Sequence, residues 1–193
     1  MRKGEATRST ILDEASRLAS QVGLGGLTIG SLATQTELSK SGLFAHFGSK
    51  ESLQLEVIEH TSERFTAAVI RPALKEPRGE PRMRKLFELW LEWGSVEFGC
   101  PFISAAFELD DQPGPLRDRM VRNQRDWVDT ISMIFSGGVT EGHFRADADP
   151  IQFAFDIEGV MLAFTIASRL LGDPAAAARA TGSFERLLAA AAA

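Results

Sequence analysis

The residues with the clearest chemical purpose lie between Thr28 and Lys50, in the segment TIGSLATQTELSKSGLFAHFGSK. Its serine hydroxyls and the Lys40 ammonium can bond to phosphate oxygens or to base edges, and Gly42 would let a partner approach the backbone closely. Thr28 and Lys50 stand at predicted helix starts, where free backbone N–H groups favour phosphate. The candidate DNA-binding residues are Thr28, Ser39, Lys40, Ser41, Gly42, Phe44, Ala45, His46 and Lys50.

Three short helices must position these residues. Thr28, Ser39 and Ser49 are N-cap residue types, and they predict helices over 29–35, over 40–47 and from residue 50 onward. Helices this short are unstable alone in water, so apolar neighbours must hold them. The residues predicted to do so are Leu32, Ala33, Leu38, Leu43 and Phe47, with Leu38 plugging the turn.

This layout is that of a helix-turn-helix, whose second helix enters the major groove of DNA. The alternative is a solvated corner of short helices, in which the serines and threonines serve only as caps. The whole set of residue types and spacings favours the DNA-binding interpretation.

The remainder of the chain also predicts helices only, because Ala, Leu, Glu and Arg dominate and no sustained alternation with β-branched residues occurs. A first helix over 6–22, with Ile11, Ala15, Leu18 and Val22 on one face, ends at Gly23. Later helices are predicted over 50–70, 82–98, 101–109, 116–135, 150–171 and from 174 onward. The predicted fold class is all-α: a three-helix head, then an antiparallel helical bundle, with about nine helices in all.

Composition bounds the class of protein. The chain has 193 residues, 44% hydrophobic and 24% charged, which is typical of a globular protein able to bury a core. Cys100 is the one cysteine, which excludes an intramolecular disulfide and a cysteine-cluster metal site, and we expect it to be buried and inert. The most apolar run, 159–167, is shorter than a membrane span, and no secretory signal is recognised. We therefore expect a cytoplasmic protein without membrane contact.

The net charge of −5 is unevenly distributed. Residues 1–50 hold six lysines and arginines against four acidic residues, whereas the rest of the chain holds 15 against 22. A slightly basic head on an acidic body suggests two separate roles in one chain.

No catalytic constellation emerges. His46, His60 and His143 share no metal-ligand spacing, and no nucleophile motif or phosphate-binding glycine loop occurs. The carboxylates between Glu108 and Asp111 are interpreted as a solvated helix end and turn. We predict no metal, no cofactor and no enzymatic activity. The alternative is an all-helical small-molecule-binding protein or enzyme that uses its head for protein contacts.

The head resembles the DNA-binding domain of the TetR (tetracycline-repressor-like) family of bacterial transcription regulators. The resemblance rests on GLGGLTIGSLA and LSKSGLFAHFGSKESL, and it covers roughly residues 5–55. It implies a DNA-binding domain over 1–48 and a ligand-binding, dimerisation domain over 49–193. It further implies a ligand-responsive repressor that binds a palindromic operator as a homodimer, at the bacterial nucleoid. An unidentified small apolar or aromatic effector would release it from double-stranded DNA.

Two positions depart from the family pattern. The family usually has tyrosine, whose hydroxyl commonly contacts phosphate, where this chain has Phe44, and often glycine in the turn where Glu37 stands. A left-handed Glu37 would cost about 1 kcal/mol and would place a negative charge near DNA. We expect weaker nonspecific affinity than that of a more basic relative. Arg2, Lys3 and Arg8 are predicted to form a mobile arm that reaches the DNA backbone or minor groove.

Aromatic residues of the body predict an effector cavity. The helix over 82–98 is apolar on two faces, which is typical of a helix in the middle of a bundle. An interior rich in aromatic rings can leave a cavity for an apolar or planar ligand. The alternative is that these rings simply fill the core. The candidate ligand-binding residues are Trp90, Trp93, Phe98, Phe102, Phe107, Trp127 and Phe164.

The helix over 150–171 predicts a dimer interface. It is apolar all round, and small residues spaced by four leave a smooth strip that another helix can approach. We predict a two-fold helical seam, as in the family's dimers, while the alternative is burial within one chain. The candidate interface residues are Phe155, Gly159, Ala163 and Ala167.

Overall fold

A computed structural model describes residues 3–95 and 101–193, with only the backbone for residues 3–7. The described residues form nine helices of eight or more residues and no strand, which confirms the predicted all-α class. A π-helical segment, Thr66–Ile70, and one turn, Arg71–Ala73, extend α4, and Ile166–Leu170 extends α8. The helices are α1 (Lys3–Gly26), α2 (Ile29–Thr36), α3 (Lys40–Phe47), α4 (Lys50–Phe65), α5 (Glu80–Gly94), α6 (Pro101–Leu109), α7 (Pro115–Thr140), α8 (Pro150–Thr165) and α9 (Ala176–Ala191).

The first compact unit comprises Met1–Arg64 and Cys100–Asn123. Its core confirms most of the predicted apolar face of α1. Val22 is the exception, because it is exposed and the buried residues that follow it are Leu24 and Leu27. This core includes Ile11, Leu18, Leu27, Leu32, Leu43, Phe47, Leu53, Val57 and Met120.

Gly23 breaks α1 with a left-handed backbone (φ 78°, ψ 164°). A β-carbon there would lie 3.1 Å from Glu108 Oε2. The break frees two N–H groups: Leu24 N donates to Glu108 Oε2 at 2.7 Å, and Gly25 N donates to Oε1. The prediction of a solvated helix end is therefore wrong for Glu108, whose carboxylate holds the broken end of α1 against α6.

The second compact unit comprises Phe65–Gly99 and Gln124–Ala193. Aromatic stacking fills its interior: Phe135 stacks between Phe144 and Phe153, with ring centroids 4.4 and 4.3 Å apart. Another stack joins α5 to α9, and its two phenylalanine rings lie 4.1 Å apart. Helix α5 buries one side only, since Arg84, Glu88 and Glu92 are exposed, and this does not support the predicted position in the middle of a bundle. Its buried residues are Met83, Leu86, Phe87, Trp90 and Gly94.

Candidate nucleic-acid interface

Helix α3 has the bounds predicted from the sequence, because both of its ends are capped locally. At the start, Ser39 Oγ accepts the N–H of Gly42 at 3.1 Å. At the end, Gly48 takes a positive φ of 72° and donates its N–H to the Phe44 carbonyl at 2.8 Å. Glycine adopts that backbone without steric cost, so it allows an abrupt end to the helix.

Helix α2 begins with a reciprocal capping box. Thr28 Oγ1 accepts the N–H of Ser31 at 2.9 Å, and Ser31 Oγ accepts the N–H of Thr28 at 2.8 Å. Such a box satisfies two backbone donors that would otherwise lack partners. Thr28 is half-buried, and its contact with phosphate stays a prediction.

The two faces of α3 differ sharply. Leu43 and Phe47 are buried in the core, 1% and 3% exposed. At about 100° per residue, Ala45 points away from this pair, and Phe44 and His46 flank it on either side. Phe44 is 58% exposed. The exposed residues of the helix are the predicted ones: Lys40, Ser41, Gly42, Phe44, Ala45 and His46.

A side chain from α1 holds the end of α3. Arg8 donates to the His46 carbonyl at 3.0 Å, its guanidinium carbon lies 5.0 Å from the Phe47 ring centroid, and it pairs with Glu56 at 2.5 Å. Arg8 is therefore fixed, and its assignment to a mobile arm is wrong. No sequence motif marks this contact, because its hydrogen-bond partners lie 38 and 48 residues from Arg8.

The turn between α2 and α3 contains a left-handed residue. Glu37 has φ 58° and ψ 16°, as the departure from the family pattern suggested. Leu38 is 41% exposed, so the prediction that it plugs the helix crossing is wrong. The buried residues of α2 and α3 are instead Leu32 with Ala33, and Leu43 with Phe47, which lie within the helices.

Two predicted cations lie around the start of α2. Lys50 Nζ donates to the Gly25 carbonyl at 2.6 Å. The Lys40 ammonium lies near Gly30, 3.9 Å from where a β-carbon would stand. A helix start carries a partial positive charge, and two ammonium groups beside it strengthen its attraction for phosphate. The structure thus places Lys40 near Thr28 at the start of α2, and Lys50 at the end of α1. Phosphate binding by these residues stays a prediction.

Four predicted ligand-binding residues form two aromatic groups in the second unit. Trp90 and Phe164 are each 3% exposed and meet edge to face at 5.6 Å. Trp93 and Trp127 both pack edge-on against Phe65, at 5.6 and 5.1 Å. Trp93 Nε1 is buried and has no hydrogen-bond partner within the described part of the chain. These rings fill the interior, and a role in ligand binding stays a prediction.

The other predicted ligand-binding residues are placed differently. Phe102 lies in the first unit, where with Leu24 and Met120 it lines a small apolar pocket that is partly open to solvent and has room for little more than a water molecule. Phe107 is 66% exposed, which argues against the prediction that its ring lines an enclosed cavity. Residues assigned a role that lie outside the described part are Arg2, the side chain of Lys3, Phe98 and Cys100.

One apolar face of helix α8 is exposed to solvent. Phe155 is 72% exposed, Gly159 and Ala163 are exposed, and Ala167 is half-buried. Four further large apolar residues that were not predicted for the interface extend this surface, because their spacing of four or seven residues places them on the same side as Phe155. We call these four and Phe155 together the α8 outer face: Ile151, Phe155, Leu162, Ile166 and Leu170. The opposite side is buried and consists of Phe153, Ala154, Ile157, Met161 and Phe164.

The segment Pro150–Leu170 is long and apolar enough to cross a membrane by length and composition alone. The sequence analysis considered only residues 159–167, and it therefore underestimated the length of the apolar segment. A core helix passes the same test, and α8 packs one side against aromatic rings of its own unit, including Phe135 on Phe153. Among the described residues, no cluster of three or more His, Cys, Asp or Glu side chains could hold a metal ion.

Two family models match this chain, one in each half. The family model for bacterial regulatory proteins of the tetR family matches residues 11–57, and the tetracyclin repressor-like C-terminal domain matches residues 79–184. A TetR transcriptional regulator from Chloroflexus aurantiacus is 25% identical, with a TM-score of 0.81 over 98% of this chain and 96% of that one. No curated protein matches the chain.

Two further solved structures have the same fold. A TetR-family regulator from Agrobacterium tumefaciens has a TM-score of 0.84 at 16% identity, covering 97% of this chain and 99% of that one. AibR, solved in complex with isovaleryl coenzyme A and operator DNA, has a TM-score of 0.68 at 22% identity, covering 81% of this chain and 84% of its own.

Proposed function

The chain belongs to the TetR family of bacterial transcription regulators, and from this premise we propose that it is a homodimeric repressor that a small apolar molecule releases from a palindromic operator. We assign DNA binding to residues 1–48, and ligand binding and dimerisation to residues 49–193. The family models over 11–57 and 79–184 support this division.

The observation that carries the DNA-binding role is the outer face of α3. It is exposed and combines polar residues with Phe44 and Ala45, while Leu43, Phe47 and the Arg8 bond to the His46 carbonyl hold the helix in place. A rigid helix with an exposed outer face can enter a major groove without first becoming ordered. Lys40, with Lys50 and Thr28, would contact the phosphate backbone and set its position.

The α8 outer face supports the dimer. Its side chains are too apolar and too exposed to be left in water by a folded monomer at working concentrations, and a second copy would cover them by two-fold packing. Two heads about 34–36 Å apart would then meet successive turns of one DNA face. A palindromic operator follows from that symmetry.

We assign the effector to the body, near Trp90, Trp93, Trp127 and Phe164. AibR was solved with isovaleryl coenzyme A, and another structural neighbour is described as a ketosteroid transcriptional regulator, from Mycobacterium tuberculosis. The first ligand carries a short branched acyl group on a polar coenzyme, and the second name refers to apolar steroids. An apolar group of either kind would suit an aromatic interior. The effector would favour a distance between the two heads that does not fit the operator. A preference of about 1–3 kcal/mol for that distance would change the occupancy of the operator about 5–150-fold.

A gel shift with the DNA upstream of the chain's own gene tests the proposal. We expect retardation at low salt, and we expect Lys40→Ala to flatten the slope of log affinity against log salt by about one unit, because the variant neutralises one phosphate fewer. Lys85→Ala is the matched control, since Lys85 pairs with Glu88 on α5. No retardation by any part of that upstream DNA at low salt would contradict the proposal.

A further inference from the structure

We propose that Phe44 and Ala45 recognise the 5-methyl groups of thymines, so that each operator half-site carries a thymine opposite the middle of α3. This inference rests on the proposed DNA-binding function and adds to it the chemistry by which α3 chooses a sequence. It starts from the outer face of α3, where an apolar pair lies beside groups that donate hydrogen bonds.

The hydrogen-bonding groups of that face are few. Between Lys40 and Phe47 the helix carries one ammonium, one hydroxyl and one imidazole, and it has no arginine, asparagine or glutamine. This helix therefore cannot form the bidentate pairs that arginine makes with guanine, or that asparagine and glutamine make with adenine. Lys40, Ser41 and His46 can still bond to base edges, so an apolar contact would add to the few hydrogen bonds that this helix can make.

The exposed apolar pair is the other feature. Phe44 is 58% exposed and carries no hydroxyl, so its ring cannot donate to a phosphate. Ala45 is exposed and points directly away from the buried Leu43 and Phe47. The backbone of the helix is already fixed here, since the Phe44 carbonyl accepts the N–H of Gly48 at 2.8 Å.

The major groove offers one apolar group to such a pair. The other groups that proteins read there are hydrogen-bond donors and acceptors, and the thymine 5-methyl group is the one apolar group that projects into the groove. A phenyl ring or a methyl group placed over a donor or acceptor removes its water and returns no bond, which opposes binding. The same side chains placed over a methyl group bury apolar surface of both the protein and the DNA, which favours binding.

The test begins with selection of duplexes from a random library by the full-length protein. Each thymine of the selected consensus is then replaced by deoxyuridine, which removes only the methyl group, and affinity is measured by fluorescence anisotropy at fixed salt. Loss of one buried methyl should weaken binding about fourfold, and loss in both half-sites about fifteenfold. The Phe44→Ala or Ala45→Ser variant should lose sensitivity at the position that its residue contacts.

Met133→Ala is the matched control, because it removes a similarly exposed apolar side chain, 63% against 58%, from outside the head. It should keep the full effect of deoxyuridine. Phe44 is exposed, so Phe44→Ala should fold, and Ala45→Ser provides an independent variant should it fail. Selected duplexes that bind equally with thymine and deoxyuridine would overturn this inference and leave the regulator assignment standing. Failure to enrich any duplex would instead overturn the proposed function, and this inference with it.

Discussion

Helices α3 and α8 are built on the same plan but present opposite chemistry to the outside. Each buries one apolar side. In α3 it consists of Leu43 and Phe47, and in α8 of Phe153, Ala154, Ile157, Met161 and Phe164. The outer face of α3 is small and mostly polar, whereas the α8 outer face is large and apolar. The inner faces explain the fold. For the outer faces we propose two different roles: DNA binding for α3, and contact with a second copy of the chain for α8.

The two helices are also held differently. Helix α3 has eight residues and depends on hydrogen bonds from outside itself, such as that from Arg8. Helix α8 is anchored by aromatic packing, such as Trp90 against Phe164. A short helix with few apolar contacts needs directional bonds to hold its geometry, since propensity alone cannot maintain it.

Charging the α8 outer face should have the largest effect. In Phe155→Glu/Ile166→Glu, two carboxylates replace exposed apolar groups, and we expect a monomer whose operator affinity falls about 10²–10⁴-fold because the second head no longer binds intramolecularly. Sedimentation measures the oligomeric state, and fluorescence anisotropy measures the operator affinity. Gln152→Glu, on an exposed polar position of the same helix, should leave both unchanged. A double variant that stays dimeric would contradict the assigned interface.

The contrast between the two faces of α3 can be measured by paired truncations. Leu43→Ala should lower the free energy of unfolding by about 2–5 kcal/mol, because it opens a cavity in the core. Phe44→Ala should change it by less than about 0.5 kcal/mol, since the ring is exposed. Urea denaturation at one fixed protein concentration gives both values. Similar losses in the two variants would show that Phe44 is not on an outer face.

The anchoring role of Glu108 predicts a smaller loss. Glu108→Gln should cost about 1–2 kcal/mol of unfolding free energy, since a neutral carboxamide replaces a carboxylate that accepts the N–H groups of Leu24 and Gly25. Asp111→Asn is the control, because Asp111 is exposed. Equal stability of both variants, again by urea denaturation, would support a solvated Glu108 instead of an anchoring one.

The smallest effect concerns a carboxyl group on α8. Burial raises the pKa of Glu158, and a hydrogen bond from Gln124 opposes this only partly. The folded state therefore holds this proton at higher pH than the unfolded state, so the stabilisation is complete below the unfolded value of about 4.3 and is lost as pH rises through the raised pKa.

Glu158→Gln should remove this dependence. The urea midpoint of the variant, relative to that of the unmodified chain, should rise as pH increases from about 4 to about 7. Asp156→Asn, two residues away on the same helix, is the control and should show no such rise. A difference that stays flat across this range would contradict the assignment of the raised pKa to Glu158.

Much of the head was predictable because its determinants are local. Thr28, Ser39 and Ser49 cap helices within three residues of themselves, and Gly23 ends a helix by its own backbone freedom. Leu43 and Phe47 indicate the inner face of α3 by their spacing, so the exposed residues follow by elimination. The left-handed Glu37 could likewise be inferred from the residue type usual at that position.

Contacts between distant residues could not be predicted in this way. The sequence predicts a mobile Arg8, but the fold places Glu56 and the His46 carbonyl beside it. It also predicts a solvated Glu108, whereas the break at Gly23 supplies this carboxylate with two N–H groups. Leu38 has the right type for a core residue but lies in a turn that leaves it exposed.

The sequence by itself determined which segments are helical and which sides of them are apolar, because both depend on neighbours within one turn. Only the tertiary structure decided which charges are already paired and which apolar faces stay uncovered, because those depend on residues brought together from far along the chain.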